Sequence, residues 1–277
     1  MTSKNEIGSC IVCGNAYVPE VAGICSCGQC GLLYSGQKAG FGNPIQGMNA
    51  IAMRNYVTVA DALEKAIPLR GAKILDVGCA EGGFTELMLQ RGAQCLGLEP
   101  DRNAAQEALA KQLPIELASF ESFAGKENEY DVIVFNDVFE HMQDPDLVLE
   151  KSVRMLKDVG FVLINAPVSS GFIFTMVRIA ARLGMTSPYR RIWAQGLSSP
   201  HIYFYAETNL EALLAKYNLE SVSKGRLVAL ATDGMYQRVR STYSPFSALA
   251  ISTLASAFTL ISNLFPADVL YLLCRKK

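Results

Sequence analysis

The sequence predicts an α/β protein, a doubly wound, mostly parallel seven-stranded sheet with a small N-terminal zinc knuckle. Three observations predict it. Short apolar runs recur near 73–77, 94–98, 131–135 and 160–165, with helical spacing between them, as parallel strands joined by crossover helices require. A glycine turn, Gly78-Cys79-Ala80-Glu81-Gly82-Gly83, follows the first run at once. Five of the eight cysteines fall within the first 30 residues.

The cysteines come first in the chain. Cys10-x-x-Cys13 and Cys27-x-x-Cys30 offer two sulfurs each to one tetrahedral Zn²⁺. Gly14 and Gly31 follow the second cysteine of each pair, where the backbone must turn toward a metal. So short a segment cannot bury its own core, and a metal staple supplies what the core lacks. Four thiolates leave no open position, so the site is structural. Cys25 is surplus: it either replaces Cys27 as ligand or is a free thiol. Disulfides are the alternative, but the polar residues 1–9 give no export signal to support them. The expected organisation is a knuckle over 1–35, a glycine-rich linker over 36–50 and a main domain over 51–277. An insertion at about 168–200 forms a lid over the substrate side.

In the main domain Lys73–Val77 reads as a buried strand and Phe84–Gln90 as the helix after the glycine turn. Gly78 lets the backbone approach a ligand, and Gly82 and Gly83 admit the turn into the helix. The next strand, Gln94–Leu98, ends at Glu99, placed to accept hydrogen bonds from two ribose hydroxyls. A weak strand is expected near 114–117, and further strands at 131–135, 160–165, 220–230 and 268–274. Helices are expected at Asp144–Leu156 and Thr208–Tyr217.

Composition bounds the function. Half of the 277 residues are hydrophobic and 18% are charged, enough for a large core and inconsistent with disorder. Lys and Arg number 25 against 26 Asp and Glu, so the basic excess of a nucleic-acid binder is missing. The mean hydropathy, +0.20, is high. The uncharged run from Ser241 to Ala267 contributes to it. Within 247–265, Ile251, Leu254, Phe258, Ile261 and Phe265 share one helical face and Ser252, Ser256, Thr259 and Asn263 the other. That helix is expected to pack its apolar face on the domain, with membrane-surface contact as the alternative. So many hydroxyls argue against a span. A cytoplasmic protein, peripheral at most to the inner face of the membrane, is expected.

The stretch Leu75-Asp76-Val77-Gly78-Cys79-Ala80-Glu81-Gly82-Gly83-Phe84 resembles the first motif of the class I S-adenosylmethionine-dependent methyltransferases, a Rossmann-like family. Gly97-Leu98-Glu99-Pro100-Asp101 resembles their acidic motif, and the likeness continues through Asp131 to His141. It covers roughly residues 50–277, and a cysteine knuckle also occurs in some members. A nicotinamide-dependent dehydrogenase is the alternative for the glycine turn, but the Asp76–Cys79 form and the segment Asn136–His141 favour methyl transfer. The resemblance implies S-adenosylmethionine as cofactor. It implies that Asp76 and Gly78, within a motif that includes Cys79, Ala80, Gly82 and Phe84, line the methionine portion. It places Glu99 and Pro100 at the ribose, Asp101 near the adenine, and Asn136 and Asp137 facing the sulfonium. Ser119, beside Phe120, stands where an acidic residue often meets the adenine amino group. The family's Lys-Pro-Gly-Gly turn is Lys157-Asp158-Val159-Gly160 here.

The chain has two histidines, His141 and His201. His141 is expected to serve as general base or metal ligand, or else to form a structural pair with Glu140. Asp137, Glu140 and His141 stand at i, i+3 and i+4, so one helical turn would converge them on a divalent cation. This resembles the Glu-x-x-Glu-His site of the ubiquinone-pathway O-methyltransferases. It also resembles the small-RNA 2′-O-methyltransferases, whose distant second histidine His201 would supply. Asp137, His141 and His201 are thus the candidate catalytic residues. From Val159 to Ala206 there is no acidic residue, while Arg178, Arg182, Arg190 and Arg191 are present. A cationic, apolar lid suits an anionic acceptor such as a sugar nucleotide, a lipid-linked glycan or a prenylated phenol; a solvated helix is the alternative. The expected reaction is methyl transfer to a hydroxyl of a small-molecule or glycan acceptor. A silent methyltransferase-fold binding module and an RNA methyltransferase are the alternatives.

Overall fold

A computed structural model describes residues 8–38, 40, 49–230, 236, 240, 244–262 and 264–277. Most of the predicted linker, 36–50, lies outside them. The N-terminal segment forms three short strands, β1 (Tyr17–Pro19), β2 (Cys25–Cys27) and β3 (Leu33–Tyr34). Helix α1 (Asn49–Ala66) follows, then β4 (Lys73–Val77), α2 (Gly83–Gln90), β5 (Gln94–Leu98), α3 (Gln106–Ala110) and β6 (Ile115–Glu116). β7 (Tyr130–Asn136) runs into a 3₁₀ turn at Phe139–His141, then come α4 (Pro145–Met155) and β8 (Leu156–Pro167). α5 (Phe172–Arg182), α6 (Thr186–Ile192) and β9 (Tyr203–Phe204) precede α7 (Glu207–Ala215) and β10 (Leu219–Leu227). The last described elements are α8 (Pro245–Ser262) and β11 (Val269–Lys276).

The seven-stranded, mostly parallel sheet has the order β10-β11-β8-β7-β4-β5-β6. β6, β5, β4, β7 and β8 are parallel; β11 runs antiparallel between β8 and β10. Side chains alternate between two cores with the period of a strand. Ile133 and Phe135 point into one, Val132 and Val134 into the other. From the central β4 the chain steps to β5 on one side and later to β7 on the other. That reversal opens a crevice beyond the carboxyl ends of these strands, where doubly wound sheets bind ligands.

Three details differ from the sequence reading. Lys157–Gly160, expected as a surface turn, already belongs to β8, because α4 ends at Met155 and the strand starts at once. The knuckle strands form a second sheet, β1-β2-β3-β9, completed by a strand of the main domain: Leu33 pairs with Phe204 and Tyr34 with Tyr203. Helix α8 is turned the other way round. Its inward positions are Ala248, Ser252, Thr259 and Ser262, while Leu254 and Phe246 are 72% and 89% exposed. Ser252 and Ser262 satisfy their hydroxyls on the helix's own carbonyls, of Leu249 and Thr259, so small polar residues can pack inward without a lost hydrogen bond.

Candidate active site

The crevice holds a cavity of about 500 Å³. Gly78 ends β4 at φ +71°, and a Cβ there would lie 2.5 Å from Val138 Cγ2. Only glycine both turns the chain and leaves that wall open. Ala80 continues the turn at φ +45°, and Gly82 caps α2 at φ +81°. A Cβ on Gly82 would strike Leu113 at 2.6 Å and Ala108 at 2.9 Å, so the turn packs directly on α3 and the loop after it.

Glu99 ends β5. One carboxylate oxygen accepts the Ala80 N–H at 3.1 Å and the other the Asp101 N–H at 2.9 Å. Two lone-pair sites remain for a ligand. Burial raises its pKa, opposed by those two N–H donors. The predicted cofactor residues divide in two. Gly78, Ala80, Glu99 and Pro100, with Ser119, Phe120, Asn136 and Asp137, line the cavity. Asp76, Cys79, Gly82, Phe84 and Asp101 do not. Asp76 is buried behind the wall and accepts the Thr85 hydroxyl at 2.7 Å, tying β4 to α2. Burial pushes its carboxyl up to about 7 against that hydrogen bond. Asp101 caps its own loop by accepting the Asn103 N–H. The Ser119–Phe120 loop is held by Lys151 of α4, whose ammonium donates to the carbonyls of Phe120, Glu121 and Phe123 at 2.7, 3.0 and 2.6 Å.

The sequence reading missed part of the wall. Ile51, Asn55 and Tyr56 of α1, Glu121, and Val228 beyond β10 also line it. Helical spacing could have shown α1, but nothing in the sequence says which of its faces meets the crevice.

Beyond β7 lies the polar cluster. Asn136 is buried beside the Asp76 carboxyl, and neither atom of its amide makes a hydrogen bond of ordinary geometry within the protein. Asp137 adopts φ +53°, its N–H on the Asn165 carbonyl, and burial pushes its carboxyl up to about 6. This left-handed residue breaks the expected single helical turn. The structure groups Glu140, His141 and His201 instead, their ligand atoms all within 4.8 Å of one another; Asp137 is not among them. The His141 and His201 rings meet edge to face at 4.7 Å. His141 Nδ1 lies 2.8 Å from the Pro200 carbonyl. A carbonyl only accepts, so Nδ1 carries the proton and Nε2 is left as the basic nitrogen. Burial lowers the pKa of His141, opposed by that carbonyl; burial and then His141 hold His201 down to about 3. Glu140 is buried, its pKa driven well up by desolvation and next by Asp137. Its Oε2 and Nδ1 of His201 have no partner. The crevice fits a polar ligand on this evidence: an open glycine cradle, a carboxylate with spare lone pairs and an orphaned amide.

The lid reading needs correction. Arg178 forms an ion pair with Glu20 of the knuckle, and Arg182 reaches the same carboxylate at 3.5 Å. The acid missing from 159–206 is supplied by Glu20, 158 residues before Arg178, so these two arginines are neutralised within the protein.

At the knuckle, Cys10, Cys13, Cys27 and Cys30 place their sulfurs within 4.8 Å of one another, and Cys25 stands outside the group. Cys10 and Cys30 are 3.5 Å apart, Cys13 and Cys27 3.3 Å. Four sulfurs at about 2.3 Å from one Zn²⁺ lie roughly 3.8 Å apart, so the group is nearly at the spacing of a tetrahedral site. Gly14 and Gly31 adopt φ +76° and +74°, and their N–H groups reach back to the carbonyls of Cys10 and Cys27. The two knuckles therefore repeat one geometry.

Residues 52–224, more than half of the chain, match the family model described as a methyltransferase domain. The ubiquinone biosynthesis O-methyltransferase of Thiobacillus denitrificans is 31% identical over 129 residues, 44% of this chain and 53% of that protein. That of Vibrio cholerae is 33% identical over 144 residues, 48% and 56%. The chain spans about half the length of the curated relatives it matches. Among solved structures, the Burkholderia thailandensis 1,6-didemethyltoxoflavin-N1-methyltransferase with bound S-adenosylhomocysteine superposes with a TM-score of 0.52 at 15% identity, covering 82% of this chain and 78% of that one. The Synechocystis magnesium protoporphyrin IX methyltransferase with bound S-adenosylhomocysteine gives 0.53 at 14% identity, covering 86% and 90%. Strand order, glycine cradle and acidic strand end agree with the family match: the chain belongs to the methyltransferase-domain family.

Proposed function

We propose that the protein transfers the methyl group of S-adenosylmethionine to a hydroxyl of a small-molecule acceptor. One observation carries this reading: a single cavity is lined both by the Gly78–Glu99 cradle and by the Glu140–His141–His201 cluster. Cofactor and acceptor can thus meet in one space. S-adenosylmethionine supplies an electrophilic methyl group on a sulfonium. Glu99 accepts the ribose hydroxyls, the Ser119–Phe120 loop flanks the adenine, and Gly78 and the Asn136 amide receive the methionine portion. His141 takes the acceptor's hydroxyl proton at Nε2, and the Pro200 carbonyl keeps its ring in the required tautomer. Its lowered pKa keeps the imidazole neutral at pH 7, ready to accept.

The relatives' name, ubiquinone biosynthesis O-methyltransferase, supports a ring hydroxyl on an apolar acceptor. With Arg178 and Arg182 committed to Glu20, a sugar nucleotide or lipid-linked glycan draws less support than it did from the sequence. The outward apolar residues of α8 are the surface we assign to membrane contact. No helix among the described residues is long and apolar enough to cross a membrane. The four knuckle cysteines hold one structural Zn²⁺ in this reading, and the boundaries at 35 and 50 divide knuckle from methyltransferase domain along the chain, although the two share the β1-β2-β3-β9 sheet.

Calorimetric titration with S-adenosylhomocysteine tests the cofactor half, and transfer of labelled methyl groups into a lipid extract tests the acceptor half. His141→Asn should keep cofactor affinity within about threefold and slow transfer by roughly 10²–10⁴. Undetectable cofactor binding sinks the proposal. A second reading rests on the orphaned Glu140 Oε2 and His201 Nδ1: with His141 these would hold one divalent cation that polarises the acceptor oxygen. Activity lost to a chelator and restored by Mg²⁺ or Mn²⁺ would select it.

A further inference from the structure

The knuckle is not an appendage on its linker. Its strand β3 pairs with β9, and Ser35 adds two bonds beside that pairing: its N–H donates to the Ile202 carbonyl and its hydroxyl to the His201 carbonyl, both at 2.9 Å. From the other direction, the Asn209 amide donates to the Cys30 carbonyl at 3.2 Å and the Lys216 ammonium to the Ile11 carbonyl at 2.5 Å. Both metal loops are thus tied to α7 and the residue after it. A third hydrophobic core lies between knuckle and lid. Ile24 and Leu33 pack there with Phe174 of α5, Tyr189 of α6, Trp193 and Phe204. Tyrosine rings run from β1 through β3 to β9: Tyr17 to Tyr34 at 5.2 Å, Tyr34 to Tyr203 at 5.3 Å, Tyr203 to Tyr205 at 5.9 Å. Tyr205 then meets Phe139 beside Glu140 at 5.6 Å. On the opposite flank Glu20 holds Arg178 and Arg182, and Gln195 donates to the Ala22 carbonyl.

The β3–β9 pairing, the Ser35 bonds and the Tyr205–Phe139 contact lead to the acceptor side, where Glu140 and His201 line the cavity. Phe204, paired with the knuckle, packs on the His201 ring at 5.1 Å, and the His201 N–H donates to the Trp193 carbonyl. None of the contacts named goes to the Gly78–Gly83 turn or to Glu99. We propose that the cysteine knuckle is a positioning element for the acceptor half of the active site: metal bound by its four thiolates fixes β3, and β3 fixes β9, His201 and the α5–α6 lid. It rests on the metal reading of the four cysteines. A metal staple is needed here because β1, β2 and β3 are only two or three residues long, too short to hold their register alone.

The chain reports on itself, since Trp193 is its only tryptophan and it has two histidines. The full chain is compared before and after zinc removal, with metal content measured in each sample. On metal loss the buried Trp193 emission should shift to the red. Amide exchange over 193–206 should quicken at least tenfold, and the imidazole ¹⁵N resonances of His201 should move. Affinity for S-adenosylhomocysteine should change less than threefold, and readdition of zinc should restore all signals. Ser35→Ala should keep its zinc yet reproduce the His201 shift and the faster exchange at His201 and Ile202. Three results overturn the proposal. Unchanged Trp193 and His201 signals in zinc-free protein make the knuckle a separate module. Equal loss of cofactor binding makes it a global staple. A chain that takes up no zinc or cobalt removes the metal reading itself, which the metal analysis distinguishes from the other two.

Discussion

Replacing Glu99 by Gln isolates the hydrogen-bonding power of one carboxylate. In the structure its two oxygens already accept the N–H groups of Ala80 and Asp101. A carboxylate offers about four lone-pair sites, so two remain for the two ribose hydroxyls. The amide of Gln offers one oxygen with two sites. Four donors then compete for two positions, and the displaced ones face an NH₂ group. The backbone part of the loss is present with and without ligand and cancels from the binding energy. What remains is about one lost hydrogen bond to a charged acceptor, about 1.5–3 kcal/mol. Binding of S-adenosylhomocysteine should weaken roughly 10- to 150-fold at pH 7. The pH dependence gives a second handle. Burial raises the Glu99 pKa, so wild-type affinity should fall on acidification before ordinary surface carboxylates protonate, and the Gln variant should lose that fall. Calorimetry across pH 5–8 reads both effects, with a thermal melt to confirm the fold. A folded variant within threefold of wild type would refute the assignment of Glu99 to the ribose.

Three further outcomes follow from the same geometry. Asp76→Asn tests a buried acid held at about 7 in the native state against about 3.9 unfolded. The raised pKa stabilises the fold fully below about pH 4, and that stability is lost as pH rises through about 7. The Asn variant should therefore gain Tm relative to wild type between pH 5 and pH 8, and a pH-independent difference would count against it. Cys25→Ser should leave one zinc per chain by elemental analysis, whereas Cys13→Ser should release it; loss of zinc from the Cys25 variant alone would mean a different ligand set. Sedimentation with anionic liposomes should capture the wild type and lose it on replacement of Phe246 and Leu254 by Ser, since burying the two side chains in lipid is worth about 1.5–3 kcal/mol each; equal capture of both proteins would discard the α8 surface.

The core of the fold was legible because its signals are local. β4, β5 and β7 are buried on both faces, so they read as continuous apolar runs, and the glycine turn and Glu99 lie within a few residues of them. What escaped depends on distant parts of the chain. The partner of Arg178 is Glu20, 158 residues away, and a window from 159 to 206 cannot contain it. β9 has two residues and exists because β3 lies beside it. The cluster at the acceptor side is half legible: Glu140 and His141 are neighbours in sequence, but the single helical turn expected from Asp137 is broken by its positive φ, and its carboxylate is not one of the three grouped ligands. Helix α8 is amphipathic as its period predicts, but small residues such as Ala248, Ser252 and Ser262 face inward, which the serines can do because their hydroxyls bond to the helix's own carbonyls.

Local irregularity is also present at the site, independently of any motif. Seven described residues other than glycine have positive φ, and three of them, Ala80, Asp137 and Ala194, line this cavity. The four outside it, Ala22, Gln112, Asn128 and Asn218, all occupy turns, where the left-handed conformation serves to reverse the chain. At Ala80 and Asp137 the same conformation sits at the ends of adjacent strands, where the backbone must bend away from the crevice to leave it open. Among the described residues, four of the ten buried polar atoms without partners, on Asn136, Glu140 and His201, belong to residues that line the same cavity; the other six lie elsewhere. Each such group costs about 1–3 kcal/mol while unsatisfied. Strain and unmet hydrogen bonds persist together only where the rest of the fold can offset them, and a ligand that satisfies those atoms recovers part of that cost as affinity. The carboxylate, amide and imidazole left open here are suited to hydroxyl, amino-acid and proton-bearing groups, and S-adenosylmethionine together with an alcohol or phenol presents all three.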